Sequence, residues 1–333
     1  MKTLTIAIPC YNVEGCVRRC LDSILAAGVE DSIEILAIND GSHDNTSRIL
    51  HEYARQHPAA MRVIDKENGG WGTAVNLAMQ QAKGKYFKEV DADDWVVAEN
   101  MRAYVDKLDE LEVDYVATSF IEHIAKEDGQ TERREHPLDP ALCDRVHDVA
   151  RFWEQHPHAW SFPIHCITYS VAFLRLINLR VGDRYYTDFE YFLKSMPYVR
   201  TLYMMNHPIS VYFRGNAEQS TGQRGYAKHY RDMAQLSLRL VTFYEGLPAV
   251  THPRIKEQIF RTVGGTVALA YDLMLSPAYA ARQEGAAAYL KEYDASLRQH
   301  PAFYQAAAQV RKRGIRYICL WRHTGINLLG WRR

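Results

Sequence analysis

Three carboxylates in four residues, Asp91-Ala92-Asp93-Asp94, close the extended apolar stretch Lys85-Tyr86-Phe87-Lys88-Glu89-Val90. Crowded at a strand end they repel and raise each other's pKa unless a cation or a set of donors is held between them. Mg2+ and Mn2+ suit such a position, because they take oxygen ligands and commonly sit between one or two carboxylates and the phosphates of a substrate. Alternation along a strand sends Asp91 and Asp93 to one side and Asp94 to the other. The same four residues, taken alone, also describe a solvated acidic turn.

The elements that must carry this quartet repeat along the first hundred residues. Thr3 to Ile8 is rich in β-branched residues and reads as a buried strand that Pro9 stops; Cys10-Tyr11-Asn12 follows as a loop. Val17, Leu21, Ile24 and Leu25 then recur at helical spacing up to Gly28. Ile33 to Ile38, Asn39-Asp40-Gly41-Ser42 and a helix from Asp44 to Gln56 form a second copy. A third runs from Met61–Ile64 through Asn68-Gly69-Gly70-Trp71-Gly72 to a helix over 73–82. Strands alternating with helices predict an α/β fold around a mostly parallel sheet whose ligands bind beyond the carboxyl ends of the strands, where all of these polar loops fall.

Ile8-Pro9-Cys10-Tyr11-Asn12, Asn39-Asp40-Gly41-Ser42, Glu67-Asn68-Gly69-Gly70 and Asp91-Ala92-Asp93-Asp94 together resemble the ordered motifs of family 2 glycosyltransferases. The resemblance is close over residues 3–100, looser over 185–220, and absent after about 225. It implies a GT-A fold, a nucleotide-sugar donor, Mn2+ or Mg2+, and inversion at the anomeric carbon. On it, Pro9, Tyr11 and Asn12 lie along the nucleobase and ribose, Asp40 accepts from a uracil N–H, and Gly70 lets backbone approach the diphosphate. Asp91, Ala92 and Asp93 complete the nucleotide site, with Asp93 and Asp91 as metal ligands. A turn capped by Ser42 or Asp44 accounts equally for the second motif.

Inversion needs one base at the acceptor hydroxyl. Family 2 enzymes often carry an acidic pair for this, and the matching stretch is Tyr185-Tyr186-Thr187-Asp188-Phe189-Glu190-Tyr191-Phe192, with Thr187 in place of the first acid. Asp188 is the expected base and Glu190 the alternative; both also read as acids favoured in a first helical turn. Arg214, in Tyr212 to Ser220, is a planar donor fork for diphosphate or the partner of a surface carboxylate, with Gln219 and Ser220 as weaker contacts. Trp153, Trp160, Phe162 and Pro163-Ile164-His165 line an acceptor or fill the core.

With 333 residues, 47% hydrophobic and no net formal charge, the chain accommodates one catalytic domain and an appendage. We expect a GT-A domain over 1–225, its nucleotide-sugar half 1–100 and acceptor half 101–225, followed by helices over 226–333. Ile255, Ile259, Val263, Val267 and Met274 make one apolar stripe, and Leu290, Tyr293 and Leu297 another, packing on the catalytic domain or a second subunit of a homo-oligomer. Residues 311–333 hold six Arg and one Lys with no acid, interleaved with Trp321, Trp331 and aliphatics. They suit an anionic membrane surface, or a helix that pairs with acidic residues elsewhere. No apolar run of spanning length, signal peptide, C-x-x-C, zinc spacing or G-x-G-x-x-G occurs, and no nucleic-acid module is present. The six scattered cysteines read as reduced thiols of a cytoplasmic protein, peripheral on the inner face of the membrane. The expected activity is transfer of a sugar, from a UDP-sugar by preference, to a hydroxyl of a glycan or lipid-linked acceptor, as in cell-surface polysaccharide synthesis. A catalytically silent GT-A module that binds nucleotide or partner proteins is the alternative.

Overall fold

In the computed structural model, residues 2–126, 129–156, 163–215, 222–327 and 329 are described. Trp160, Phe162, Gln219, Ser220 and Trp331 lie outside them. The chain divides into two units, Met1–Asn216 and Ala217–Arg333.

The first unit is built on β1 (Leu4–Cys10), β2 (Ile33–Asp40), β3 (Met61–Lys66), β4 (Tyr86–Glu89), β5 (Trp95–Val96), β6 (Tyr115–Ala125), β7 (Thr131–His136), β8 (Val146–Asp148), β9 (Ile167–Ser170) and β10 (Thr201–Arg214). They form one sheet in the order β3-β2-β1-β4-β9-β6-β10-β5, with β7 on β6 and β8 on β10. Pairings within β3-β2-β1-β4 are all parallel, as expected. Beyond β4 the sheet is mixed, a correction to the mostly parallel expectation: β9 runs antiparallel to both β4 and β6, while β6 and β10 are parallel. β1 and β2 are buried at every position, so their near-continuous Ile/Leu/Ala content is what a sheet covered on both faces requires. Pro9 does not stop β1; it stands inside the strand opposite Ile38, and the strand runs on to Cys10.

The helices α1 (Val17–Leu25), α2 (Thr46–Gln56), α3 (Trp71–Gln81), α4 (Ala98–Glu110), α5 (Val149–Gln155), α6 (Val171–Ile177) and α7 (Asp188–Leu193) complete the unit. The chain winds from β1 outward to β3, then crosses back to place β4 on the other side of β1. Right-handed crossovers therefore put α1 and α2 on one face and α3 on the other. The reversal between β1 and β4 is a topological switch point, where the loops after the two strands part and leave a crevice at their carboxyl ends. Tyr11-Asn12 and Asp91-Asp94 are those two loops.

The second unit is helical: α8 (Gln223–Lys228), α9 (Tyr230–Glu245), α10 (Pro253–Leu275), α11 (Ala286–Leu297), α12 (Pro301–Gln309) and α13 (Tyr317–Thr324). Both predicted stripes face inward: Ile255, Ile259, Val263, Val267 and Met274 on α10, and Leu290, Tyr293 and Leu297 on α11, are all buried. Each such side chain contributes about 1.5–3 kcal/mol of apolar burial. The basic tail is partly drawn into this core. Ile318 and Tyr317 are buried, Lys312 pairs with Asp272 at 2.7 Å, and Arg322 pairs with Asp294 at 2.6 Å. Ile315 and Ile326 stay exposed. No helix among the described residues is long and apolar enough to cross a membrane.

The Arg322–Asp294 pair is the one that truncation exposes most, because the two side chains are only 6% and 8% accessible. Arg322→Ala leaves Asp294 charged and buried without its cation, and is expected to lower stability by about 3–5 kcal/mol in urea unfolding followed by circular dichroism.

Candidate active site

The first two loops of the crevice are laced together. Asn12, at φ +53°, donates its backbone N–H to Ser42 Oγ (3.1 Å), and its Oδ1 accepts from the His43 N–H (2.8 Å). Asn readily adopts such a left-handed conformation. Val13 and Glu14 N–H groups donate to Thr46 Oγ1 and Asp44 Oδ2. Tyr11 is left 46% exposed, edge-on to the His43 ring at 6.3 Å. Pro9, by contrast, is buried in β1.

Asp40 is turned inward at 3% exposure. Its two oxygens accept the N–H groups of Gly69 (2.9 Å) and Gly70 (2.8 Å), and Lys66 Nζ pairs with it. Both oxygens expected to meet a uracil N–H are thus engaged in fastening the third loop, a role sequence reasoning missed. The signal was there in Lys66 and the Gly-Gly pair, which supply one cation and two unhindered amides.

The third loop in turn receives the segment before α7. Asn76 of α3 exchanges two hydrogen bonds with the Val181 backbone, 2.8 and 3.0 Å long. A Cβ on Gly70 would stand 2.1 Å from the Asp183 carbonyl oxygen, and one on Gly72 only 1.7 Å from that of Gly182. Gly70 also has φ +87°. Tyr186 follows at φ +66°, a left-handed conformation costly for an aromatic residue. Glu190 is fully buried, accepts the Gly182 N–H and pairs with Lys194 at 3.2 Å. These contacts lock the segment and leave Asp188, the first residue of α7, as its solvent-facing carboxylate. Thr187 makes no side-chain cap to the helix.

Asp91 and Asp93 do not extend β4 as strand residues; they sit in a turn closed by Asp94 N–H to Asp91 O at 3.0 Å. Ala92 is buried at 4% exposure, and Asp94 points inward to accept the Phe213 N–H at 2.8 Å. Asp91 Oδ1 accepts the indole N–H of Trp71 at 3.0 Å. Trp71, the first residue of α3, therefore orients one of the two carboxylates. Beneath them Glu89 is 1% exposed, and burial first, then Asp91, push its carboxyl well above the ordinary range. Burial first, and then Asp93, raise Asp91 to about 6, with Asp188 adding to the rise. Asp188 is itself raised to about 6 by the protein atoms that hem it in. Asp188, 97 positions on from Asp91, is thus close enough for its charge to be felt there. Arg19 reaches this group from α1: it donates to the Asp93 carbonyl at 2.6 Å and lies 4.0 Å from the Trp95 ring.

Among the described residues no three His, Cys, Asp or Glu side chains surround one ion position. The donor set at the crevice is two hard carboxylate oxygen ligands beside a third acid. That fits Mg2+ or Mn2+ shared with a diphosphate and does not fit an all-protein cage. Arg214 lies farther along the sheet edge, where its Nη1 donates to Glu122 at 2.7 Å. Trp153 is buried in the core, and His165 stacks on Tyr212 at 4.9 Å.

The model of glycosyl transferase family 2 matches residues 5–177, just over half of the chain, from the second residue of β1 through β9. The chain belongs to glycosyl transferase family 2. Among family relatives, the uncharacterized glycosyltransferase EpsJ of Bacillus subtilis is 31% identical over 156 residues, 47% of this chain and 43% of EpsJ. The teichoic acid poly(glycerol phosphate) polymerase of Staphylococcus epidermidis is 25% identical over 281 residues, 80% of this chain and 36% of the polymerase. The chain thus spans under half the length of these two curated relatives. Among solved structures, S. aureus TarS 1–349 shares the GT-A fold with TM-score 0.61 at 15% identity, over 97% of this chain and 87% of that one. TarS has also been solved with UDP-GlcNAc.

The contact between the third loop and the 182–183 backbone is the joint of the site. Gly72→Ala drives a Cβ into the Gly182 carbonyl and is expected to cost about 2 kcal/mol or more in thermal unfolding. Gly129→Ala is its poor control because of its positive φ; Gly15→Ala, whose added Cβ meets nothing within 4 Å, is the appropriate one and leaves stability nearly unchanged.

Proposed function

We propose that the chain transfers a sugar from a nucleotide-sugar donor, a UDP-sugar by preference, to a hydroxyl of a glycan or lipid-linked acceptor. The observation that carries this reading is the acidic turn of Asp91 and Asp93 at the switch point of the sheet, with the charge of Asp188 acting on Asp91. Family membership and the TarS complex with UDP-GlcNAc support the donor class. The exposed Tyr11 and His43 rings offer a face for the base.

In this reading the acceptor oxygen attacks the anomeric carbon as the carbon–oxygen bond to the nucleoside diphosphate breaks, and the acceptor proton passes to an Asp188 oxygen. A carboxyl held near 6 is ionised at neutral pH yet basic enough to accept that proton. Asp91 and Asp93 would hold a divalent ion, which supplies Lewis-acid neutralisation of the leaving diphosphate. Trp71 keeps Asp91 in one orientation, and Asp40 keeps the third loop in place.

Calorimetric titration of UDP into the protein is expected to give heat in the presence of Mn2+ and none in EDTA, and Asp93→Ala is expected to abolish the metal-dependent part. Heat that is unchanged by either treatment would remove the metal from the reading. For the base, Asp188→Asn is expected to retain UDP binding and lose transfer by about a hundredfold or more. The acid limb of kcat/KM in the wild type falls below about pH 6. The same raised carboxyl lowers stability, because the folded state holds the proton more tightly than the unfolded chain; the penalty is absent below the ordinary value of 3.8 and complete above about 6. Asp188→Asn therefore has a higher Tm than wild type at pH 7.5, by a margin that shrinks as pH falls through 6 and closes only below 3.8, whereas an inert surface Asp would show no such pH-dependent margin.

A further inference from the structure

The helical unit is not electrically neutral. Ala217–Arg333 carries 17 Lys and Arg against 8 Asp and Glu, a formal +9, and the first unit carries the balancing −9. Part of that positive charge converges on a cleft of about 310 Å³ between α11 and α13, lined by Lys291, Asp294, Ala295, Arg298, Trp321, Arg322 and Gly325. The volume is at the lower end of small-molecule sites.

One carboxylate and three cations meet there, and the carboxylate is already satisfied. Asp294 accepts from Arg322 Nε (2.6 Å) and from the Tyr271 hydroxyl (2.5 Å). Arg322 spends two further N–H groups on the Tyr304 carbonyl and the Tyr271 hydroxyl, both at 2.8 Å. A guanidinium has five N–H groups, so a side chain only 6% accessible retains two unspent donors at the floor of the cleft. At the rim, Lys291 has no ion-pair or hydrogen-bond partner among the described residues, and Arg298 reaches Asp294 only at 3.8 Å. Two cations thus remain uncompensated, which matches a doubly charged phosphate ester better than a singly charged carboxylate. Trp321 supplies an apolar ring beside them, suited to the carbon skeleton that carries the phosphate.

We infer that this cleft is a second ligand site of the chain and that it takes a phosphate ester group borne on a short polyol or sugar. Two sources offer that chemistry, a soluble polyol phosphate and the headgroup of an anionic lipid. The inference uses no residue of the crevice in the first unit, so it stands or falls apart from the donor reading.

The test uses the full chain in low salt with EDTA, which silences any metal-dependent binding elsewhere. One arm titrates sn-glycerol 3-phosphate calorimetrically, with glycerol as the uncharged control. The other floats the protein with vesicles of phosphatidylglycerol or of phosphatidylcholine. Both are repeated on the double variant Lys291→Ala, Arg298→Ala, whose sites are exposed and whose melting is expected to match wild type. Binding of glycerol phosphate, absent for glycerol and weakened about tenfold or more in the double variant, supports the site with a soluble source. Flotation with phosphatidylglycerol alone, lost in the double variant, supports it with a lipid source. No binding in either arm, or binding that the double variant leaves unchanged, overturns it. Lys291→Gln with Arg298→Gln replaces the alanine pair if the latter melts early.

Discussion

Two backbone carbonyls, those of Gly182 and Asp183, press against the start of α3 at the only distance that a bare α-carbon tolerates. Everything chemical in the first unit depends on that approach. It brings a segment more than a hundred residues downstream onto the loop after β3, and Asn76 then fixes its height with paired hydrogen bonds to Val181. Asp188 follows six residues after the contact, at the start of α7, where its charge is felt at Asp91. Backbone rather than side chain forms the joint, and backbone holds position within tenths of an ångström where rotamers do not.

The acids at the end of β4 carry an electrostatic cost that the fold offsets only in part. Asp94 is relieved by one amide, Asp91 by an indole N–H, and Asp93 has Arg19 near its backbone. The remaining excess of negative charge is unhelpful to folding and useful to a site that binds a cation with a diphosphate. Placing that excess at a topological switch point costs little in packing, since the crevice there exists for reasons of strand order alone.

Much of this was legible in the residues. The strand–loop–helix repeats, the buried stripes of α10 and α11 and the reduced state of the cysteines follow from local period and spacing, and the structure repeats them almost residue for residue. The mixed second half of the sheet was not legible, because β9 is four residues long and its antiparallel direction is decided by partners distant in sequence. Within the crevice the motif residues were visible, and their partners were not. That Asp40 also fastens the third loop through Lys66, Gly69 and Gly70, and that the Trp71 N–H reaches Asp91, depends on partners 20 to 30 positions away in sequence. Glu190 and Asp188, two positions apart in sequence, part company only when burial is known.

The opposed charges of the two units give the chain a character that its neutral sum conceals. A pI near 7.2 suggests a molecule indifferent to ionic strength, yet the sum hides one unit of −9 and another of +9, each of which interacts with ions and charged partners on its own account. In dilute buffer the positive unit of one molecule attracts the negative unit of another, and with a Debye length of about 30 Å at 0.01 M salt the attraction reaches well beyond contact. Physiological salt shortens that reach to about 8 Å and releases them. Colloidal behaviour of this chain is therefore set by the salt around it, with solubility that rises as ions are added.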